Sequence, residues 1–567
     1  MAIPEIIEEL AHKVRTEIYG RDVREAIATS MEATAEVAEW SREVAQQIID
    51  GSFDEGALNT EIERKLNELE QEYAPRLTDV ETEIDNARGN EATLGDRLDD
   101  FSSELSQTND RISHIVNVSQ FGVESTNTTN DQSEGIQQAI DYVHSLGGGT
   151  VQFNNAVYYA QGILPRDNVT LRGTGRSKLT LSPDATNHLI YYNDSQMLEN
   201  FNLIGLVLDG NNLTYDLIHI TEPNPGAPKK TWYMSVVDRC QIINGGVGIN
   251  CPVPGSVKVI NSYIAFNDIG IKQEQEHFYV TNTVIWGNRI GADIDRANHF
   301  TWVNAVFAHN TEAGIRVTNI ALPTGIDSAF ENAYIGCVFI DNGEYSMKGR
   351  YDRSRIVGCR FLTSQNGIET VLEGSVITGC YFDNIPGTAV VLSGESEKLG
   401  NAVVTSNVFR RCGTPVNTTK YFKGVINSNN FMDNHFGIII RCSDINVVGN
   451  SFKNAKQESI IVDPIDGDCG YGININGNHF FNGGRTTTRN DVAHIKVDNY
   501  LIASSISSNT FRENSDRKAV HAILCLPGTN YKDVLVSANV SRNMVNDDYV
   551  LPISITKANN IGTVIDS

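Results

Sequence analysis

Long hydrophobic runs, paired cysteines and basic clusters are all missing from this sequence of 567 residues. No stretch reaches the roughly 18 apolar residues of a membrane helix, and the start MAIPEIIEEL has no signal-peptide pattern, so we expect neither a membrane span nor Sec export. The nine cysteines include no C-x-x-C pair, which argues against a disulfide framework and a zinc site. The net charge is −25 and no basic stripe occurs, so nucleic acid is not an expected partner.

Short, self-similar segments repeat between Asp238 and Val545. Examples are INSYIAFNDIGI, TNTVIWGNRIGA and GCRFLTSQNGI, each with one Asn or Cys before a small apolar group, a turn-rich patch and a β-branched pair. Self-similarity at a fixed period indicates a solenoid. The anchors of the repeat, about 22 residues apart plus insertions, are Cys240, Asn261, Asn282, Asn304, Cys337, Cys359, Cys380, Asn407, Asn430, Asn450, Asn478 and Asn509.

The content of each repeat predicts a parallel β-helix. Apolar and polar residues alternate over three to five positions, as in Val257-Lys258-Val259, so the segments are short strands. About 22 residues hold three such strands, which make one coil, with coils roughly 4.8 Å apart. We expect the recurring Asn to bond the same amide one coil away and Cys to fill the same inward slot. The insertions then form outer loops, near residues 317–333, 393–402, 462–472, 483–499 and 515–533.

Residues 1–115 are predicted to be helical and strongly acidic. Apolar residues at helical spacing in 1–52 predict a hairpin of two helices that buries too little to stand alone. In 53–115 the apolar residues alternate steps of three and four, which predicts a coiled-coil stalk of more than two strands. A single amphipathic helix lying on a globular domain is the alternative. The seam runs through Leu77, Val80, Ile84, Ala87, Glu91, Leu94, Leu98, Phe101, Leu105, Thr108, Ile112 and Ile115.

Residues 116–200 predict the beginning of the solenoid. The amphipathic helix GIQQAIDYVH is followed by the strand-like segments GGGTVQF and VTLRGTG. Such a helix would cover the open end of the first coil, which is otherwise an exposed sheet edge. The solenoid body is then expected at 201–545, with a C-terminal strand or cap at 546–567.

The order FG, GIQQAID, GGGTVQF, VTLRGTG and LVLDGN resembles the N-terminal part of the pectate-lyase-like right-handed β-helix superfamily, the scaffold of many phage tailspikes. The resemblance covers residues 116–210 by motif and extends to about 545 by repeat pattern. Where the common form has GDG and TDDT, this chain has ESTNTTNDQSEG. No catalytic motif carries over, because the calcium and arginine positions of pectate lyases are not recognisable.

A second resemblance lies in residues 13–32, KVRTEIYGRDVREAIATSME, which look like the attachment segment of tail and baseplate proteins from phages of Gram-positive bacteria. Together the two resemblances imply a homotrimeric tail spike located in the phage virion. It would have a helical attachment segment for tail or baseplate proteins, a coiled-coil stalk and a β-helical body.

Outward residues of neighbouring coils predict a candidate glycosidase site. Aligning the glycines of four repeats puts Lys272, Asp293, Arg316 and Glu369 in one column and Glu274, Asp295 and Thr318 in the next. Carboxyls on adjacent coils would lie roughly 5 Å apart and those two apart on one strand roughly 7 Å, which spans the range that glycosidases use. One carboxyl would act as acid while Lys272 and Arg316 keep its partner ionised. The alternative is a solvated surface.

Aromatic and histidine side chains occur on the same coils. Trp286, Trp302 and Tyr279 are candidates to stack on sugar rings. His277 and His299 lie 22 positions apart and could supply the base for β-elimination from a uronic acid, with Arg296 or Lys272 neutralising its carboxylate. The alternative is that they are turn residues paired with backbone groups. No cofactor is expected; DGDCG at 466–470 is at most a weak calcium suggestion and more in keeping with a loop.

Two functional classes follow. The first is a polysaccharide depolymerase that binds and cuts capsule, exopolysaccharide or wall glycan, by hydrolysis or by elimination. The second is a receptor-binding spike or fibre that grips surface glycan without cutting it. Both use the same long trimeric surface, on which several weak sites act together.

Overall fold

In the computed structural model the described residues are 114–124, 130–194, 196–221, 232–252, 254–274, 277–295, 299–318, 331–371, 373–394, 400–464, 470–484, 491–498, 500–514, 519–526, 530–545, 548–552, 554–562 and 564–566. The predicted hairpin at 1–52 and all but the last two residues of the predicted stalk lie outside them, as does part of each predicted insertion loop. No helix of the described residues is long and apolar enough to cross a membrane.

Strands of three to six residues dominate the described chain and pair in parallel from coil to coil, which confirms the predicted parallel β-helix. Each coil contributes one strand to each of three ladders, here called the first, second and third ladder. In a typical coil these strands are Val257–Ile260, Tyr263–Ala265 and Ile269–Gln273. Each pairs with its counterpart 21 residues later, as when Lys272 pairs with Asp293.

The first ladder runs through Ile115–Asn117, Gly149–Gln152, Val169–Leu181, Asn202–Asp209, Val236–Asp238, Val257–Ile260, Phe278–Thr281, Thr301–Val303, Ala333–Ile335, Arg355–Val357, Glu373–Thr378, Gly400–Thr405, Phe422–Asn427, Ile445–Val448, Asn474–Asn476, Ser505–Ser507, Leu535–Ser537 and Thr556–Ala558. The two long strands Val169–Leu181 and Asn202–Asp209 continue into the second ladder.

The second ladder also contains Val157–Ala160, Gln241–Ile243, Tyr263–Ala265, Val284–Trp286, Val306–Ala308, Val338–Ile340, Arg360–Leu362, Tyr381–Asp383, Val408–Arg410, Asn430–Met432, Ser451–Lys453, His479–Phe481, Thr510–Arg512 and Val540–Arg542. Short outer strands form two small extra sheets, Leu198–Glu199 with Trp232–Tyr233 and Pro254–Gly255, and Leu501–Ile502 with Tyr531–Lys532.

The third ladder runs through Ile190–Asn193, Ile218–Thr221, Val247–Cys251, Ile269–Gln273, Ile290–Asp295, Ala313–Thr318, Tyr345–Arg350, Asn366–Val371, Thr388–Ser393, Thr414–Thr418, Ile438–Ile440, Ile460–Val462, Ala493–Val497, His521–Cys525, Tyr549–Leu551 and Val564–Asp566. Because its last strands follow residue 545, the coils continue beyond the expected end of the body.

The start of the solenoid is covered by the predicted helix, which spans Ser133–Ser145 and buries Ile136, Ala139, Ile140 and Val143. It contacts the first strands, Ile115–Asn117 and Gly149–Gln152, and a short 3-10 helix, Val118–Phe121. Ile115 belongs to a strand, so the prediction that the heptad seam includes this residue is wrong. The helix covers apolar surface that would otherwise meet water at the end of the core.

At the turn between the first and second ladders, several predicted anchors lie one residue before the buried position. The first residue of this turn has a positive φ, and the second is buried. Asn261, Asn282 and Asn304 are first residues, with φ of 50°, 50° and 53°, and all are exposed. The buried positions behind them are Ser262, Thr283 and Ala305. Asparagine tolerates left-handed backbone better than most residues, which explains its recurrence there as well.

In the C-terminal half the buried slot holds the expected amide ladder. Each Nδ2 donates to the Oδ1 of the next coil at 3.0 Å, along Asn407, Asn429, Asn450, Asn478, Asn509, Asn539 and Asn560. The member after Asn407 is thus Asn429, one residue before the predicted anchor Asn430. Cys337, Cys359 and Cys380 occupy the same slot, fully buried as expected.

A second buried asparagine row lies at the turn between the second and third ladders. Asn267, Asn288, Asn310 and Asn342 join through amide contacts of 3.2, 3.1 and 2.8 Å. Beside it the core is filled by stacked aromatic rings, with successive centroids 4.6–5.0 Å apart along Phe307, Phe339, Phe361, Phe382, Phe409, Phe431, Phe452, Phe480 and Phe511. These inward rows fix the register, and the register decides which side chains meet on the outside.

Candidate functional site

Outward side chains of the third ladder form one continuous column, and the predicted pairing is confirmed. Lys272 pairs with Asp293, Asp293 with Arg316, Arg316 with Lys348 and Lys348 with Glu369. Lys348 is a member that the predicted column lacked. Its strand carries Ser346 where the flanking strands have the aligned glycines Gly314 and Gly367, so the glycine signal is missing there.

The column also extends toward the N-terminus. His219 pairs with Asn250, and Asn250 pairs with Lys272, so a row of polar side chains runs from His219 to Glu369 with one residue per coil. Tyr191 pairs with His219 at the N-terminal end. We call these eight residues, Tyr191, His219, Asn250, Lys272, Asp293, Arg316, Lys348 and Glu369, the polar column.

Asp293 is held in a bidentate ion pair rather than facing a second carboxyl as an acid. Arg316 donates to both of its carboxylate oxygens, at 2.7 and 3.0 Å, and also to Glu312 at 2.9 Å. Arg289 bridges Glu312 to Asp268, where its two bonds measure 2.7 and 3.0 Å. The bond to Asp293 raises the pKa of Arg316, and the bond from Arg289 lowers the pKa of Asp268. Arg316 thus contacts Asp293 directly, and its role in keeping that carboxylate ionised stays a prediction.

The second predicted column lies where the third-ladder strands end. Asp295 pairs with Thr318, and Glu274 directly follows Gln273, which pairs with Ile294. The backbone N–H of Glu274 donates to Pro252 at 3.1 Å, and both acidic side chains are half-buried. They remain the candidate carboxylates of this face.

The two predicted histidines stack on adjacent coils. The rings of His277 and His299 are 6.1 Å apart and 21° from parallel. His277 Nδ1 lies 3.3 Å from the Tyr279 hydroxyl, and His299 Nε2 lies 3.6 Å from a Glu331 carboxylate oxygen. Both histidines have positive φ, 61° and 51°, at the turn before the first ladder, and the His277 carbonyl accepts a bond from Val257. These contacts suit the turn interpretation; Arg296, the suggested partner, lies outside the described residues.

One predicted aromatic contact is wrong. Trp302 is fully buried, donates through its indole N–H to the Phe278 carbonyl at 3.2 Å and stacks on Phe307, so no sugar can reach it. Trp286 is half-buried on the second ladder, with its ring 4.2 Å from that of His309. Tyr279 is half-buried on the first ladder. Neither ring belongs to the ladder that carries the polar column.

A histidine–aspartate cluster at the N-terminal end of the column was missed by sequence reasoning. His219 Nδ1 lies 2.6 Å from Asp216 Oδ2. The carboxylate also accepts bonds from the Val247 N–H at 3.0 Å and the Asn250 amide at 2.9 Å. His188 Nδ1 accepts the Asp216 backbone N–H at 2.9 Å, and its ring stacks 3.9 Å from that of His219. Two acceptors cannot approach to 2.6 Å, so His219 Nδ1 carries a proton.

Burial and hydrogen bonding set the charges of this cluster. Burial opposes ionisation of Asp216, but the bonds from His219 and Asn250 outweigh it, and the pKa of Asp216 is lowered. Burial and then the neighbouring His219 lower the pKa of His188, which favours its neutral form. The carboxylate is 10% exposed, and the two histidine side chains are 23% and 19% exposed. The cluster thus has an ionised, buried centre and two imidazole edges that solvent reaches.

Among the described residues, His188, Asp216 and His219 also have the composition of a metal site, and their potential ligand atoms lie within 4.8 Å of one another. The ring geometry does not suit a shared ion. Imidazole binds a metal in the plane of its ring at about 2.0–2.1 Å, whereas these two rings are stacked, with planes 11° from parallel and centroids 3.9 Å apart. The His188 Nδ1 lone pair is also directed at a backbone N–H. The present arrangement fits proton transfer better than metal binding. The suggested calcium segment, 466–470, lies almost entirely outside the described residues.

Comparison with known proteins gives similarities of fold. No family model and no curated protein matches the chain. Similar solved structures include the A-module of the mannuronan C-5 epimerase AlgE4 from Azotobacter vinelandii, 13% identical over 80% of this chain and 99% of that one, with a TM-score of 0.29. A tailspike protein of E. coli bacteriophage HK620 is 13% identical over 80% and 79% of the two chains, with a TM-score of 0.41. An N-terminal fragment of bacteriophage phi29 gene product 12 is 11% identical over 81% and 83%, with a TM-score of 0.45.

The Asp293–Arg316 pair leads to a prediction about stability. Replacing Asp293 with asparagine removes the charge that Arg316 faces, and we expect a loss of about 1–3 kcal/mol in the free energy of unfolding. Denaturant titration at constant protein concentration measures it. The matched control is Asp383→Asn, which breaks a bidentate bond to the exposed Arg411 and should cost less. Equal losses in the two variants would contradict a special role for the pair.

Proposed function

We propose that this protein is a phage tail spike that binds a host cell-surface polysaccharide along the polar column. The observation that carries the proposal is the column itself, in which charged, amide and imidazole groups follow one another at one residue per coil. A glycan lying along the third ladder would meet one such group every roughly 4.8 Å. Repetition of this kind lets many weak contacts add up on an extended ligand.

Side chains around the column supply the two kinds of contact that sugars use. Lys348 lies 4.2 Å above the Tyr345 ring and 3.9 Å from a Glu369 oxygen, so a cation, an aromatic face and a carboxylate meet at one place. At the other end the rings of Tyr191 and Tyr215 flank the His188 ring. Aromatic faces pack on apolar sugar faces, and the polar groups bond hydroxyls.

In the middle of the polar column we favour binding of the glycan over its cleavage by a pair of carboxylates. A glycosidase needs one carboxyl that holds a proton near neutral pH, whereas Asp293 is engaged by Arg316 in a bidentate ion pair. Hydrolysis by Glu274 and Asp295 is the remaining form of the depolymerase proposal. The helical attachment segment, the trimeric coiled coil and the virion location complete the proposed architecture.

The binding proposal predicts a difference between two lysines of one coil. Lys272→Glu should weaken binding of the full-length protein to envelope polysaccharide from its host by at least about tenfold, which corresponds to about 1.4 kcal/mol. The control is Lys258→Glu, on the first-ladder strand of the same coil, where the side chain is exposed and points to another face. Titration calorimetry with the isolated polysaccharide measures both.

The possible outcomes distinguish an error in the proposed binding site from an error in the proposed function. Loss in Lys272→Glu alone supports the polar column. Equal binding by both variants would move the site to another face, and failure of the unaltered protein to bind any envelope polysaccharide of its host would overturn the proposed function.

A further inference from the structure

We infer that His188, Asp216 and His219 form a hydrolytic site that removes ester-linked acyl groups from the bound polysaccharide, with His219 as general base. The inference rests on the proposed function for its substrate, because the ester would be carried by the glycan on the polar column. It does not rest on it for its chemistry, which follows from the arrangement of the three side chains.

The first step of the argument is the tautomer of His219. Its Nδ1 donates to Asp216, so its Nε2 has a free lone pair in the neutral ring. A carboxylate that holds Nδ1–H orients the imidazole and stabilises the imidazolium formed when Nε2 takes a proton. Asp216 is itself held by the Val247 N–H and the Asn250 amide, so the pair is fixed before substrate arrives.

The second step concerns the charged side chains that contact the Asp216 carboxylate. Three well-buried carboxylates of the described chain face a lysine or arginine: Asp293 pairs with Arg316, Asp352 with Arg350 and Asp209 with Lys178. Glu513 also faces a histidine, His494 at 2.7 Å, but both side chains are fully buried, so substrate cannot reach that pair. The ionisable side chains that contact the Asp216 carboxylate are two histidines, His188 and His219, whose charge depends on protonation. A carboxylate placed against an imidazole stabilises a positive charge that appears only during proton transfer.

The third step is the role of His188. Because its Nδ1 accepts a backbone N–H, the neutral ring carries its proton on Nε2 and can donate there. The stacked rings, 3.9 Å apart, thus place a proton acceptor and a proton donor side by side at the surface. This is the combination that an ester needs, a base for water and a donor for the oxyanion.

The reaction balances without a cofactor. The oxygen of a water molecule bonds to the ester carbonyl carbon while one water proton passes to His219 Nε2. The carbonyl oxygen becomes an oxyanion and accepts a hydrogen bond from His188 Nε2–H. The bond from carbon to the sugar oxygen then breaks, and that oxygen takes the proton from His219 Nε2. The products are a carboxylic acid and a free sugar hydroxyl, and His219 returns to its neutral form.

Elimination from a uronic acid fits this site less well. Removing the proton next to a carboxylate requires that the carboxylate be neutralised. The cation of the polar column nearest in register is Lys272, two coils from His219 and therefore roughly 10 Å away. An ester carries no charge and needs no such cation.

The test compares matched histidines in the full-length protein. Host envelope polysaccharide is incubated with the protein, and released acetate, absorbance near 235 nm and binding affinity are measured together, with p-nitrophenyl acetate as a small ester probe. His219→Gln should lower kcat for ester cleavage at least about 100-fold and weaken affinity for the polysaccharide far less, because the other seven residues of the polar column remain. The control is His309→Asn, which alters an exposed histidine that also contacts an aspartate, Asp341, at 3.0 Å; it should keep full activity.

Asp216 is tested as a positioning residue. Asp216→Asn should lower kcat by about 100-fold or more while KM stays within a factor of about three, because the imidazole loses its orientation but the glycan contacts remain. A melting temperature within a few degrees of the parent shows that each variant is folded.

Each outcome decides something. Acetate release that depends on His219 and not on His309 supports the inference. Binding of the polysaccharide with neither acetate release nor cleavage of the probe would overturn the inference and leave the proposed function standing. Absorbance near 235 nm would overturn ester hydrolysis in favour of elimination. Cleavage of the probe that depends on His219, without binding of polysaccharide, would support the chemistry and overturn the proposed function.

Discussion

Replacing Phe361 with alanine should lower the free energy of unfolding by about 3–5 kcal/mol. Its ring is fully buried and stacks between Phe339 and Phe382, with centroids 4.9 and 4.6 Å away. Removing the ring leaves a cavity in the middle of a stack that closes poorly, because each neighbouring ring is held by its own strand in the second ladder. Denaturant titration followed by far-ultraviolet circular dichroism, at one protein concentration, measures the loss.

Phe361→Leu is the control for this substitution. Leucine keeps most of the volume and the apolar character, so we expect a loss of at most about 1.5 kcal/mol. If alanine cost no more than leucine, the stacked rings would contribute little beyond filling the slot, and their role in stability would be smaller than the structure implies.

Replacing Asn450 with alanine should also cost about 3–5 kcal/mol. Its Nδ2 donates to the Ile426 carbonyl at 2.9 Å and to Asn478 at 3.0 Å, and its Oδ1 accepts from the backbone and side chain of Asn429. Alanine removes a hydrogen bond from the Ile426 carbonyl, from the Asn478 amide oxygen and from both the backbone and the side chain of Asn429, all in a buried slot. Each unsatisfied buried group costs about 1–3 kcal/mol, and partial relaxation reduces the sum.

Asn446→Ala is the matched control, because Asn446 lies on the first-ladder strand of the same coil as Asn450. Asn446 is half-buried and accepts one bond from Asn474 at 3.0 Å, which water can replace. Its removal should cost less than about 1 kcal/mol. A loss as large as that of Asn450→Ala would mean that burial of the amide row is not what makes the inner asparagines important.

The strand pattern and the column of the third ladder were predictable because both depend on local spacing. The glycines Gly270, Gly291 and Gly314 mark equivalent places, since a Cβ at each would collide with the next coil, and counting two residues on gives Lys272, Asp293 and Arg316. The predicted position of the buried slot was wrong by one residue in part of the repeat, because asparagine suits both positions of the turn. At Asn261 it accommodates the positive φ, whereas at Asn450 it forms the ladder.

Two site errors have different causes. Trp302 follows the alternation of its strand and pairs with the buried Val280, so the period of two already places it inward. The cluster of His188, Asp216 and His219 carried no such signal. It lies on the coils before the regular repeat begins, where no 22-residue alignment connects the three residues, and its hydrogen bonds appear only when the third ladder is assembled.

The buried cysteines of the solenoid make its unfolding measurable by thiol labelling. In the described chain eight cysteines, from Cys240 to Cys525, are buried. Burial raises the pKa of Cys240, Cys412 and Cys525 to about 12, so the reactive thiolate is scarce in the native coil. An alkylating reagent would therefore label a thiol only after its coil has opened. The protein carries a built-in set of reporters distributed along its length, and the order in which they are alkylated is the order in which the coils come apart.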